Sequence, residues 1–326
     1  MTSREPRAES RDRETTGSRI PASPEALRNT HSAFRNPQWK GSGDSPWQDA
    51  FRRLRRNRLA MLGMGILLCF VLAALLAPWI APYPFDRTNL PYGAKPPTPT
   101  HLLGTDELGR DLFTRILYGA RISFAVGILA TLVSLTIGVT YGSIAGSAGG
   151  RADHLMMRVV DILYGLPFMF FVIILMVIFG RNILNLFVAL GAVQWLTMAR
   201  IVRGQVLSLK AREFVLSALA IGVSPARLLV RHVLPNALGP IVVYATLTVP
   251  AVMLEEAFLS FLGLGVQPPM ASWGSLASEG SAAMETYPWL ILFPGLALTV
   301  TLLSLNFLGD GLRDALDPQI TAHYWA

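Results

Sequence analysis

The chain has 326 residues, of which 52% are hydrophobic and only 15% charged. That balance excludes an ordinary soluble domain and points to a membrane protein with several spans. The net charge of +7 is nearly all arginine, since Lys40, Lys95 and Lys210 are the only lysines; in such a chain basic charge sets orientation and does not mark a nucleic-acid partner.

Residues 1–45 are polar, rich in Arg, Glu, Ser and Pro, and read as a disordered tail with no secretory signal. Residues 46–58 read as an interfacial amphipathic helix. Ser45, Pro46 and Gln48 make a capping-box start, and Trp47, Phe51 and Leu54 share one face with arginines opposite. The first apolar run of spanning length lies near 59–81 and contains the single cysteine, Cys69, which reads as a packed thiol. An external loop carries the chain to residue 121. After Thr105 and Asp106 it is expected to hold a second amphipathic helix, with Leu108, Leu112, Phe113, Ile116 and Leu117 on one stripe.

Residues 122–318 read as a core with five more spans, near 122–146, 156–179, 183–202, 237–261 and 288–308, followed by a tail at 319–326. Ser134, Gly138, Gly142 and Gly146 recur every four residues, a spacing that lets two helices approach closely, within this chain or against another subunit. Pro167, Pro250 and Pro294 are expected to bend or interrupt their helices. Such a break is either a plain kink or a lining of a transport path. Arg158 and Asp161 are three apart on one helical face and are expected to pair. Glu255 and Glu256, near the outer end of the fifth span, either face a water-filled cavity or sit at the interface. Asp161, Pro167, Glu255 and Glu256 are therefore the candidate path residues.

Between the fourth and fifth spans, 203–236 is too polar to cross a bilayer and too well patterned for a slack loop. A short helix is expected over 212–221 with Gly222 as its stop. Ser224 then offers an N-cap with Pro225 at the first helical position, and a second short helix runs to Leu234 before Pro235. The result is an elbow held between spans.

Arg and Lys fix an expected orientation. RRLRRNR, just before the first span, has five arginines in seven residues. Arg200, Arg203, Lys210, Arg212, Arg227 and Arg231 lie in or beside the elbow, whereas 262–287 holds no Lys or Arg. The elbow and both termini are then cytoplasmic. The loop 82–121 fits badly, because it carries five Lys or Arg and should lie outside.

Several chemistries are missing. No lysine follows a glycine, so the chain has no phosphate-cradling Gly-x-x-x-x-Gly-Lys-Ser/Thr loop. No His-Glu-x-x-His pair appears and the five histidines are scattered, so no metal site is expected. No Gly-x-Ser-x-Gly elbow appears, and no catalytic residue is assigned. Transport by conformational change is the class that remains.

The stretch REFVLSALAIGVSPARLLVRHVLPN (212–236), with Gly222 and the closing Leu234–Pro235–Asn236, resembles the cytoplasmic coupling loop of bacterial binding-protein-dependent ABC importers. GTDELGRDLFTRILYGARISF (104–124), RADHLMMRVVDILYGLPF (151–168), ARIVRGQVLSLKAREFV (199–215) and LSFLGLGVQPP (259–269) followed by SWG (272–274) are similar to the C-type permease subunit of the dipeptide, oligopeptide and nickel importers. The resemblance covers about residues 50–318. It implies an all-α integral membrane protein of the type I ABC importer permease fold, with six transmembrane helices and a coupling helix, in the bacterial inner membrane.

By the same resemblance, Arg212, Glu213, Leu216, Ser217, Ala218, Gly222, Ser224, Pro235 and Asn236 belong to the ATPase-coupling loop. A B-type permease subunit would supply the other half of the pathway. Two ATPase subunits would bind ATP and Mg, which this chain does not, and an extracytoplasmic binding protein would deliver substrate. One departure stands out: where the family carries a Glu-Ala-Ala triplet, this chain reads Leu216–Ser217–Ala218, so the carboxylate is absent and Glu213 is one turn earlier. Peptides are the first substrate class the resemblance implies, nickel chelates the second, other small solutes the third. The rival class is a self-sufficient secondary transporter, which needs coupling-ion ligands at mid-membrane, for which Asp161 is the candidate. An intramembrane enzyme is the remaining alternative.

Overall fold

The structure is a computed structural model, and it describes residues 46–316. The expected tail 1–45, its Ser45 cap and the tail 319–326 lie outside the described residues. Among those described, all regular structure is helical. Five helices are long and apolar enough to cross a membrane, and a sixth span forms if one bent pair is counted as a unit.

Helix α1 (Pro46–Arg56) is amphipathic and leads into α2 (Arg58–Leu75), whose first turn is capped by Asn57 Oδ1 accepting from the Leu59 and Ala60 amides. Ala50 and Leu54 are buried against Ala60 and Ala315, while Trp47 and Phe51 stay exposed. The expected stripe is thus divided, Leu54 against protein and the two aromatics turned outward. Cys69 is exposed, which corrects the packed-thiol expectation; α2 turns much of its apolar surface outward, where lipid is the natural neighbour.

After a short α3 (Ala77–Ile80), an ordered loop reaches α4 (Leu112–Ala148), a single helix of 37 residues. Its N-cap is Asp111, whose Oδ2 accepts from the Thr114 amide at 2.8 Å. At 1.5 Å per residue α4 is about 55 Å long, well beyond a hydrocarbon core of about 30 Å. The second amphipathic helix is therefore not a separate interfacial element. Leu112, Ile116 and Leu117 are buried in the first turns of a span, and Leu108 precedes the helix in an exposed turn.

Helices α5 (Gly150–Tyr164) and α6 (Phe168–Phe179) meet at an 85° bend around Gly165–Pro167. Proline 167 stands at the N-cap of α6, where its missing N–H costs nothing. By contrast, Pro250 and Pro294 lie inside continuous helices and interrupt neither.

Helix α7 (Ile183–Lys210) follows, then α8 (Glu213–Ala220) and α9 (Pro225–Phe261), α10 (Trp273–Ala282) and α11 (Trp289–Leu316). The main seam joins α4 to α7. A methyl group on Gly138 would meet Met198 at 2.6 Å, one on Gly142 would meet the Ala199 carbonyl, and one on Gly146 would meet Val206 at 2.9 Å. Ser134 is fully buried on the same stripe. The small residues thus admit α7 of the same chain.

Candidate functional site

Three regions gather the residues singled out from the sequence. The first is the elbow. Helix α8 is short and anchored by one side: Val215 is buried with Met198, Val202 and Val206 of α7 and with Leu228, Val233 and Ala237 of α9. Its other faces are open. Phe214, Leu216, Leu219 and Ile221 are exposed, the last at 82%, as are Arg212, Glu213 and Ser217. Four large apolar groups are thus exposed together on one short helix. Gly222 ends the helix with φ +84°, a conformation that only glycine adopts cheaply, and the space beside it is empty.

The second short helix differs from expectation. Ser224 stands at the N-cap before Pro225, but its side chain makes no capping bond. The helix does not stop before Pro235. It passes through a wider π-helical turn at Leu229–Val233 into the span, so 225–261 is continuous. Proline lacks an N–H and crowds the carbonyl four residues back; a locally widened turn relieves both conflicts. Asn236 Nδ2 donates to the His232 carbonyl at 2.6 Å across this turn. The elbow is therefore one helix joined rigidly to the start of a span.

The second region lies beside the 85° bend. A cavity of about 500 Å³ is lined there by Pro167 and Phe168, by Gln194, Trp195 and Thr197 of α7, and by Glu255 of α9. Glu255 accepts from Gln194 Nε2 at 2.6 Å. Asp161 is outside this lining and half exposed. Its partner is Arg200 at 3.0 Å, across on α7, not Arg158. Arg158 makes no ion pair among the described residues. Three residues apart sufficed for a local pair, but the guanidinium of Arg200 is also held over the Tyr164 ring at 4.1 Å, which fixes it beside Asp161. Arg203 clamps Asp153 in the same way, through Nη2 and Oδ2 at 2.7 Å.

Glu256 belongs to a different environment from its neighbour, because successive helical residues point about 100° apart. It is 1% exposed, and its Oε1 accepts from Ser260 at 2.8 Å and from Ser272 at 2.6 Å. It therefore ties α10 to α9 and does not reach the cavity.

Sequence reading missed the third region, the clasp at the far end. Asp106 Oδ2 accepts from Arg110 Nε at 2.6 Å and from Arg115 Nη1 at 2.8 Å, and Arg115 also reaches Glu279 of α10 at 2.8 Å. Asp111 meets His101 Nδ1 at 2.8 Å. Trp273 is fully buried, donates its indole N–H to the Ile116 carbonyl at 3.0 Å, and meets Phe70 and Phe124 edge-on. The only local signal was the Ser272–Trp–Gly–Ser275 run, whose two serines form a reciprocal cap for α10. Two of the five basic residues of 82–121, Arg110 and Arg115, are paired with carboxylates inside this clasp.

Comparison with known proteins follows this geometry. The family described as "Binding-protein-dependent transport system inner membrane component" matches residues 138–322, and "N-terminal TM domain of oligopeptide transport permease C" matches residues 45–97. The chain is 50% identical over 279 residues to the oligopeptide transport system permease protein OppC of Haemophilus influenzae, covering 85% of this chain and 90% of that protein. It is 48% identical to the dipeptide transport system permease protein DppC of Bacillus subtilis, covering 84% and 86%. Among solved structures, a chain of the MetNI methionine ABC transporter in an inward-facing conformation superposes with a TM-score of 0.52 at 18% identity, covering 61% of this chain and 94% of that one. That likeness concerns the fold.

Proposed function

Because the chain belongs to the binding-protein-dependent transport system inner membrane component family, we propose that this ABC importer permease subunit carries di- or oligopeptides across the inner membrane and is driven through its elbow by separate ATPase subunits. Support for peptides comes from the relatives named above, which are oligopeptide and dipeptide permeases. Nickel chelates or another small solute would use the same machinery. A second permease subunit completes the pathway, two ATPase subunits supply ATP and Mg, and a binding protein delivers the cargo.

One observation carries the coupling reading: an exposed apolar patch on a short helix that is rigidly joined to two spans. Leu216, Ser217 and Ala218 stand where the family's Glu-Ala-Ala triplet would be, so docking here works by shape and apolar contact, with Arg212 and Glu213 at the rim. Closing of the ATPase pair then displaces α8. Val215 and the continuous turn through Asn236 carry that displacement into α7 and α9. Asp161 and Pro167, at the bend, and Glu255, in the cavity, border the moving path; Glu256 holds the outer helix α10 in place.

Topology and docking are tested together. In a Cys69→Ser background, a single cysteine at exposed Ser217 should label only from the cytoplasmic side and be shielded when ATPase subunits are attached. One at exposed Thr286 should label only from outside. Labelling of both from outside in sealed cells removes the topology. Unshielded labelling at Ser217 in the intact complex removes the docking surface.

A further inference from the structure

The cavity at the bend, open on one side of this chain, holds an incomplete carboxylate. Its volume of about 500 Å³ suits a small ligand. Glu255 Oε1 takes the Gln194 amide, but Oε2 is buried and has no hydrogen-bond partner among the described residues. No Lys, Arg or His is among the residues that line the space. A carboxyl group met only by one neutral amide leaves acceptor sites unused, which is costly at membrane depth. Helix α5 ends at Tyr164 on the cavity wall and α6 begins at Phe168 on the same wall, so a carbonyl end and an amide end both face the space and their partial charges offset. Phe168, Phe171 and Trp195 supply aromatic walls. An interrupted helix at a cavity is also where membrane carriers hold ions and charged substrate groups.

We infer that Glu255 receives a primary ammonium group of the solute in transit, the α-ammonium of a peptide, with Gln194 as a positioning residue that holds the carboxylate toward the cavity. The inference rests on the peptide-permease reading. An ammonium offers three N–H donors and no acceptor, which complements the carboxylate of Glu255 on the cavity wall. A neutral solute would leave the carboxylate's charge unmet.

The test uses the whole complex, reconstituted in lipid vesicles. Dicyclohexylcarbodiimide modifies carboxyl groups in apolar surroundings, and fragmentation mass spectrometry follows Glu255 against the adjacent Glu256, which is closed off by Ser260 and Ser272. Three probes are added separately: trialanine, N-acetyl-trialanine and n-butylammonium. Uptake of trialanine is measured in parallel. Trialanine and n-butylammonium should slow modification of Glu255 about tenfold relative to Glu256, the scale of one charge-assisted hydrogen-bonded contact, and N-acetyl-trialanine should not. Equal protection by trialanine and its acetylated form overturns the ammonium assignment. No protection by n-butylammonium overturns the site, including the case in which a basic side chain of another subunit already fills it. If the complex fails to import trialanine, the peptide reading fails alone, and the n-butylammonium arm still decides the cation site. As a second readout, Glu255→Gln keeps the shape and removes the charge. It should lower trialanine uptake per assembled complex about tenfold, and parental uptake would overturn the inference.

Discussion

The clasp at one end of the molecule and the elbow at the other solve opposite problems. In the clasp, Arg115 is 3% exposed yet meets both Asp106 and Glu279, and Trp273 is fully buried with its indole N–H satisfied. Every charge and ring there is completed within the chain. At the elbow one residue of α8, Val215, is buried, while Phe214, Leu216, Leu219 and Ile221 face outward. In the proposed assembly, the contrast separates a surface finished by folding from one left for another chain to finish. Mutations in the clasp should therefore act on stability, and mutations in the elbow on communication.

The largest expected effect is Trp273→Ala. It removes a fully buried ring and its indole hydrogen bond to the Ile116 carbonyl, at a cost of about 3–5 kcal/mol. Membrane levels of the chain and its thermal unfolding in mild detergent should both fall sharply. Near-parental unfolding would mean that α10 is not anchored by this residue. Arg115→Ala comes next. It removes one of the two guanidinium partners of the buried Asp106, which keeps Arg110, whereas Glu279, 44% exposed, can turn to water. A cost of about 2–3 kcal/mol is expected, with uptake lost only in proportion to the folded complex. A loss of uptake at full complex yield would show that the clasp also moves in transport. The smallest effect is Ser224→Ala. Its side chain makes no capping bond, so the change should stay within about 0.5 kcal/mol and leave uptake intact. A loss of about 1 kcal/mol, usual for a working N-cap, would show that the hydroxyl does cap the helix.

Much of the elbow and the helix seam was legible, because both depend on local residue chemistry. Glycine 222 announces a turn that only glycine makes cheaply, and Ser134 through Gly146 announce a close approach. Proline 167 likewise marked a break, since nothing pairs in place of its absent N–H. What stayed hidden depends on partners distant in sequence. The first turns of α4 read as a separate amphipathic helix; Arg115, buried among them, has its charge met by Glu279, 164 residues away. Helix α10 was not expected, because it is short and its hold on α9 comes from Ser272 meeting Glu256. Asp161 was assigned the wrong arginine for the same reason, as Arg200 belongs to another helix. Pro235 misled in another way. Proline usually ends a helix, but here a π turn absorbs the conflict, and no residue pattern announces that.

The central claim is that the elbow transmits motion, and Gly222→Val tests it most directly. At φ +84° a β-branched residue is strained by about 1–2 kcal/mol, while the space around it is open, so the effect is confined to the turn. The spans do not depend on this turn for burial and should still insert. The variant is reconstituted with the second permease subunit, the ATPases and the binding protein, and ATP hydrolysis and peptide uptake are measured on the same vesicles. The account predicts normal amounts of the chain in the membrane, with uptake lost and ATPase subunits either detached or hydrolysing ATP without transport. Parental uptake per ATP hydrolysed at equal complex yield would contradict it.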